Sequence, residues 1–150
     1  HNWSSAWTWI GDRDREATLR ICPTVEIGGK DPARQFNLEY RASDATANPY
    51  LALAAIVRAG LDGIERKLPA PFVFSGDPAA LSAEEREDFE LFRLPETLEG
   101  ALDALEASDA ARRWFPKELL QSFVSLKRAE AVAAAGLNDD ELCQTCVRYY

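Results

Sequence analysis

The chain contains no methionine, one histidine (His1) and three cysteines among its 150 residues. A single histidine at the first position removes Ser-His-Asp and Cys-His arrangements, which need an imidazole beside the nucleophile. Cys22, Cys143 and Cys146 are too few to form a disulfide framework. Cys143-Gln144-Thr145-Cys146 has CxxC spacing, but there is no second CxxC and no further histidine to complete a closed tetrahedral zinc site. Residues three apart share a helix face, so a packing role is expected for that pair. The sequence has no G-x-x-x-x-G-K-[ST] loop and no G-x-G-x-x-G after a strand. Any phosphate group would have to be held by arginines and metal. No apolar run reaches the ~18 residues needed to cross a membrane and no N-terminal signal pattern is present, so a cytoplasmic chain without a membrane partner is expected. Positive charge is also scarce: the net charge is −8, and the acidic excess falls in residues 76–150. A nucleic-acid partner would demand a basic surface and is not expected. Arg13, Arg15, Arg20, Arg34 and Arg41 nevertheless gather in the balanced first half, enough guanidinium groups to hold a small phosphate ligand.

Residues Phe36 to Arg41 alternate in the manner of a strand. Phe36, Leu38 and Tyr40 form the face expected to pack, and Asn37, Glu39 and Arg41 form a polar face. Ala17 to Cys22 reads as a second, antiparallel strand, with a Gly28-Gly29 loop from Pro23 to Pro32 between them. Asn48-Pro49 is an N-cap and first-turn pair, followed by a segment from Tyr50 to Ile64 with almost no charge. A helix apolar all round is expected to be buried on most sides. It should end at Leu68-Pro69-Ala70-Pro71. Ser82 with Glu85 makes a capping box for a short acidic helix. From Thr97 onward the chain reads as helical. Thr97 and Ser108 or Asp109 act as caps, Pro116 sits in the first turn of a long helix ending near Gly136, and Asn138 with Glu141 forms a last capping box. Leu119, Leu120, Phe123, Leu126 and Ala129 or Glu130 form the apolar stripe of the long helix. Trp3, Trp7 and Trp9 alternate in an extended segment, whose β-face is expected to pack against parts of a larger domain rather than to stack on a ligand.

The combination Glu39-x-Arg41, Asp44, Ala47-Asn48-Pro49-Tyr50-Leu51-Ala52 and Ala59-Gly60-Leu61-Asp62-Gly63-Ile64 resembles the C-terminal part of glutamine synthetases. Asp14-Arg15-Glu16-Ala17-Thr18-Leu19-Arg20-Ile21 resembles the family's N-R-x-x-x-x-R-I segment. Leu94-Pro95, Leu98 to Leu105 and Leu126-Lys127-Arg128-Ala129-Glu130 resemble its closing helices. The order is kept through nearly the whole chain. His1-Asn2-Trp3-Ser4 and Trp9 to Gly11 resemble the branch that joins glutamate to amines other than ammonia. The resemblance implies an α+β fold, short antiparallel strands followed by a helical bundle. It also implies that residues 1–150 are a C-terminal fragment of one catalytic domain. An N-terminal β-grasp domain and the first metal-binding carboxylates would lie elsewhere in a longer protein.

The same resemblance implies the site roles. Glu39 becomes a ligand of Mg²⁺ or Mn²⁺, which suits a hard oxygen donor, although an ion pair with Arg41 is the simpler reading of the pair. Arg41 becomes the contact for substrate glutamate, and Arg15 acts on the transferring phosphoryl group. Arg20 contacts the nucleotide, ATP. A five-residue separation places Arg15 in the entering loop and Arg20 within the strand. Asn37 stands where many relatives have an ATP-binding arginine, a loss that Arg34 is expected to offset. Asp14 replaces the usual asparagine and is expected to add an anion near the phosphates. Glu39 and Arg41 should stand side by side and open into a shared cavity.

The expected parent is an ATP-dependent ligase joining ammonia or another amine to the γ-carboxylate of glutamate through an acyl phosphate, in a ring-shaped homo-oligomer. The 150 residues alone are expected to be inactive. A non-catalytic relative serving assembly or regulation is the alternative, favoured by Asp14 and Asn37. An independent helical binding module would require the ordered matches to be accidental.

Overall fold

The computed structural model describes residues 6–44 and 46–149. Trp3 and the His1 to Ser4 segment lie outside the described residues. Three short strands, β1 (Ile10–Asp12), β2 (Leu19–Ile21) and β3 (Leu38–Tyr40), precede six helices: α1 (Pro49–Glu65), α2 (Ala83–Asp88), α3 (Leu98–Ala107), α4 (Asp109–Trp114), α5 (Lys117–Ala134) and α6 (Asp139–Tyr149). This is the α+β arrangement expected. The chain divides into two compact units, His1–Ala52 with Ala59–Leu94 and Leu53–Arg58 with Pro95–Tyr150.

In the first unit the strands order as β1-β2-β3. β2 and β3 pair antiparallel, as expected, with Arg20 opposite Glu39. β1 pairs parallel to β2, with Gly11 opposite Arg20, which periodicity did not indicate. Parallel neighbours normally need a crossover of a dozen or more residues. Here residues 13–18 suffice, because strands of three residues require a return of only ~10 Å. The return passes directly over the sheet at Gly11. A Cβ on that residue would fall 2.8 Å from the Ala17 Cβ and 2.9 Å from the Asp14 Cβ, a separation that van der Waals packing does not allow. The loop begins at Arg13, which takes φ 59°, and it buries Ala17 completely.

The core of this unit is Trp9, Ala17, Phe74 and Leu91, with Trp7 and Leu81 packed against it. Trp9 meets Phe74 edge to face at 5.4 Å, a favoured arrangement for aromatic quadrupoles. The Trp7 ring lies against the guanidinium groups of Arg86 at 4.8 Å and Arg93 at 5.5 Å. Within this chain, Trp9 is buried against Phe74 and Leu91 and Trp7 is half-buried against Arg86 and Arg93.

Two expectations about covering fail. Phe36, Leu38 and Tyr40 are exposed, while Glu39 and Arg41 are partly buried. No α1 residue is fully buried, and Tyr50 and Ile64 are largely exposed. Apolar content reports that a face is suited to being covered, but not which segment covers it. The start of α1 is as expected, with the Asn48 carboxamide oxygen accepting from the Tyr50 and Leu51 amides at 3.0 and 3.2 Å. Its end comes earlier than Pro69. Lys67 adopts φ 52°, and the Leu68 amide donates to the Gly63 carbonyl while that of Lys67 donates to Ile64. This is a Schellman closure.

The second unit is helical. Thr97 caps α3, Ser108 caps α4, and Asn138 and Glu141 exchange reciprocal bonds at 3.0 Å at the start of α6. Pro116 stands at the N-cap of α5, one position before the helix. The buried apolar residues are Leu102, Ala111 and Val124. The inward line of α5 runs through Leu120, Phe123, Val124 and Lys127, and Leu126 is 58% exposed. The expected stripe had the right elements but was rotated toward Leu126. The pairing of α3 with α5 fixes the phase, and Arg128 reinforces it by reaching Asp103 at 2.7 Å and also Glu106.

Candidate functional site

Opposed residues of an antiparallel pair share a face, so the register brings Arg20 of β2 and Glu39 of β3 together. Arg41, two residues beyond Glu39, returns to the same side. Arg20 Nη1 donates to Glu39 Oε2 at 3.1 Å, and Arg41 Nη1 donates to Glu39 Oε1 at 2.9 Å. One carboxylate thus bridges two guanidinium groups, leaving the trio with a net positive charge. The Arg20 hydrogen bond, with smaller contributions from Arg41, holds the Glu39 carboxyl below the ordinary glutamate range against the opposing effect of burial. The side chains of Arg20 and Arg41 are 15% and 20% exposed, and that of Glu39 is 42% exposed.

Arg41 is fixed at two further points. Its Nε donates to the Arg15 carbonyl at 2.8 Å, and its backbone amide donates to the Thr18 carbonyl at 2.8 Å. Arg15 is an exposed residue of the loop between β1 and β2, and Arg20 lies within the strand, as expected from their spacing. Arg20, Glu39, Arg41 and the Arg15 backbone are brought together. Arg34 is not: it is the exposed last residue of the 3₁₀ turn Pro32–Arg34, where its amide donates to the Asp31 carbonyl. Asn37 Nδ2 donates to the Gln35 carbonyl at 2.9 Å. The cation missing at Asn37 is thus not replaced through any bond of Arg34 to the Arg20–Glu39–Arg41 group.

Asp14 does not stand as a bare anion. Its Oδ1 accepts from the Glu16 amide at 2.8 Å, closing an Asx turn. Thr18, which sequence reasoning passed over, is buried, and its hydroxyl donates to the Trp7 carbonyl. A threonine beside a strand carries no special pattern, whereas Asp14 two residues before an amide could have been read as turn-forming.

Glu39 and Arg41 stand side by side, joined by the bond between Arg41 Nη1 and Glu39 Oε1. The groove in this unit, about 660 Å³, is bounded by Trp9, Leu19, Phe72, Phe89, Leu91 and Phe92.

As for metal, Glu39 supplies one hard oxygen donor. Among the described residues no three His, Cys, Asp or Glu side chains are placed to hold an ion. The donor set fits a single shared ligand and not a complete cage. For a phosphate or carboxylate the fit is better. Arg20 Nε is a buried donor with no partner among the described residues, and the Arg20 and Arg41 guanidinium groups together carry more positive charge than Glu39 offsets. On α6, Cys143 is exposed and Cys146 half-buried, both as free thiols, so the expected packing role does not extend to Cys143.

Residues 1–143 match the sequence pattern described as glutamine synthetase, catalytic domain. Over 138 residues the chain is 37% identical to the gamma-glutamylpolyamine synthetase GlnA3 of Streptomyces coelicolor, covering 92% of this chain and 29% of that protein. It is 38% identical over 125 residues to a glutamine synthetase of Methanocaldococcus jannaschii, covering 83% and 25%. A crystal structure described as a novel glutamine synthase homologue superposes with a TM-score of 0.78 at 43% identity, over all of this chain and 31% of that one. The chain therefore spans between a quarter and a third of the length of these relatives. With the sequence pattern, the identities and the fold in agreement, the chain belongs to the glutamine synthetase family.

Proposed function

We propose that this chain supplies the C-terminal part of the catalytic domain of an ATP-dependent ligase that joins ammonia or another amine to the γ-carboxylate of glutamate. The observation that carries this reading is the Glu39 carboxylate bridged by Arg20 and Arg41 on one sheet face. ATP would supply the phosphoryl group, and a bound Mg²⁺ or Mn²⁺ would offset its charge. The γ-carboxylate oxygen would attack the terminal phosphorus of ATP with ADP leaving, and the amine would then attack the acyl carbon, with phosphate leaving and the amine nitrogen giving up a proton. In this scheme Arg41 grips a carboxylate of glutamate through its planar fork, and Arg15 faces the transferring phosphoryl group. Arg20 holds nucleotide phosphate, with Arg34 the outlying contributor. Glu39 would lend one oxygen to the metal, with the remaining ligands drawn from other parts of the protein. Fixed positive groups of this kind stabilise transition-state charge. The relatives support both amine classes: one is named for a polyamine product and the other for glutamine. A cytoplasmic, ring-shaped homo-oligomer is the assembly we propose for the whole protein.

Phosphate release in the presence of glutamate, ATP and Mg²⁺ tests this proposal. The purified 150 residues should give no turnover. In a full-length family member carrying these residues, Glu39→Gln should lower kcat by about 100-fold or more, the scale on which electrostatic groups act. Undiminished turnover in that variant would remove the reading.

A second reading, a family member without catalysis that serves assembly or regulation, is favoured by one observation: Asn37 is bonded to Gln35 and Arg34 lies apart from the trio. Calorimetric titration of the full-length protein with ATP and Mg²⁺ separates the two. Binding supports the ligase, and its complete absence supports the non-catalytic protein.

A further inference from the structure

We infer that Asp14 is a positioning residue that holds Arg41 in place through the loop between β1 and β2. The inference rests on the proposed anion-binding role of Arg41 and deepens it. The path is a series of direct contacts. Asp14 Oδ1 accepts from the Glu16 amide at 2.8 Å, fixing the peptide units on either side of Arg15. The Arg15 carbonyl, inside that turn, accepts from Arg41 Nε at 2.8 Å. With Nε held there, Arg41 Nη1 reaches Glu39 at 2.9 Å. The loop is also held from beneath, because Asp14 and Ala17 sit against Gly11 in space that any other residue would fill.

A guanidinium has free rotation about several side-chain bonds, and its fork is selective only when its plane is fixed. Two bonds to different partners, Arg15 and Glu39, fix that plane. What Asp14 contributes is therefore the location of an acceptor oxygen, not its negative charge. The sequence-based expectation of an added anion beside phosphates is replaced by a turn-forming group whose charge is incidental to its task.

Two substitutions separate location from charge. Asp14→Asn keeps the acceptor at the same distance from the backbone and removes the charge. Asp14→Glu keeps the charge and displaces the acceptor by one methylene. Asp14 is only partly buried, so neither change threatens folding, which circular dichroism monitors. The first readout is solvent exchange of the Arg41 Nε–H, followed by nitrogen-resolved NMR on the 150-residue chain at mildly acidic pH. The second is its titration with inorganic pyrophosphate.

Asp14→Asn should match the parent chain in Nε–H exchange and bind pyrophosphate within about threefold. Asp14→Glu should speed exchange about fivefold or more, the scale of one lost hydrogen bond, and weaken pyrophosphate binding. The inference is overturned if both variants leave exchange unchanged, if Asp14→Asn speeds it as much as Asp14→Glu, or if Asp14→Asn tightens pyrophosphate binding about tenfold with exchange unaltered. The last result would mean that Asp14 acts as an anion facing the ligand. If no form binds pyrophosphate, the proposed anion site fails. The exchange measurement still decides whether Asp14 positions Arg41.

Discussion

Glu39 is the residue on which charge and geometry meet. Its carboxyl is held below the ordinary range chiefly by Arg20, so the folded state binds a proton there less readily than the unfolded chain does. A depressed carboxyl contributes stability that is fully present above the ordinary glutamate value and lost as the pH falls through the lowered one. The side chain is well exposed to solvent, which keeps the contribution small. Urea midpoints measured from neutral to acidic pH should therefore show the parent chain more stable than Glu39→Gln near neutrality, with the gap closing in acid. A gap that does not change with pH would mean that the charge is not what the substitution removes. Sequence alone exposed Glu39 and Arg41 as neighbours, because two-residue spacing on a strand is a local property. Arg20 was assigned to the site through the family resemblance, but not as the partner of Glu39, because that register is set by pairing across an intervening loop. Arg34 was linked to the site on the basis of charge alone, and in this structure it ends the Pro32–Arg34 turn, where its amide bonds the Asp31 carbonyl.

Helix ends were legible for the same reason that Glu39 and Arg41 were. Asn48, Ser82, Thr97, Ser108 and Asn138 each bond amides two or three residues on, and such contacts are encoded within a few positions. Replacing Asn48 with Ala should cost about 0.5–2 kcal/mol, read as a lowered melting temperature of the helical signal at 222 nm. An unchanged melt would show that α1 does not depend on its cap. Coverage was not legible. The uncharged run of α1 and the alternation of β3 identified apolar faces correctly, yet both faces stand exposed. The phase of α5 depended on α3, which its own periodicity could not report. The parallel strand β1 was missed outright, since only a close approach at Gly11 permits so short a return. Gly11→Ala should cost about 1–3 kcal/mol, the usual penalty for overpacking, with the denaturation midpoint as the measure. Wild-type stability in that variant would show that the loop can lift away without loss.

Taken whole, the chain carries two modest cores, Trp9-Ala17-Phe74-Leu91 and Leu102-Ala111-Val124, against a long set of exposed apolar residues that includes Phe36, Leu38, Tyr50, Leu53, Val57 and Ile64. Exposed apolar surface on this scale favours association. The purified 150 residues should enhance the fluorescence of an apolar dye and elute at sizes that grow with concentration. A dark dye and a constant monomer would show that these side chains are already covered in solution. Family membership was readable from end to end because the ordered motifs run through the whole sequence, whereas the Arg20–Glu39–Arg41 group was readable only in part, since its pairing spans two strands.

The hexapeptide return between β1 and β2 has a consequence for how such sequences can vary. It has no slack, being pinned at Gly11 beneath, at Glu16 within and at Arg41 above. Insertions and deletions should therefore be absent from positions 13–18 across homologues, while the Gly28-Gly29 segment, whose glycines meet no neighbouring atoms, should differ freely in length.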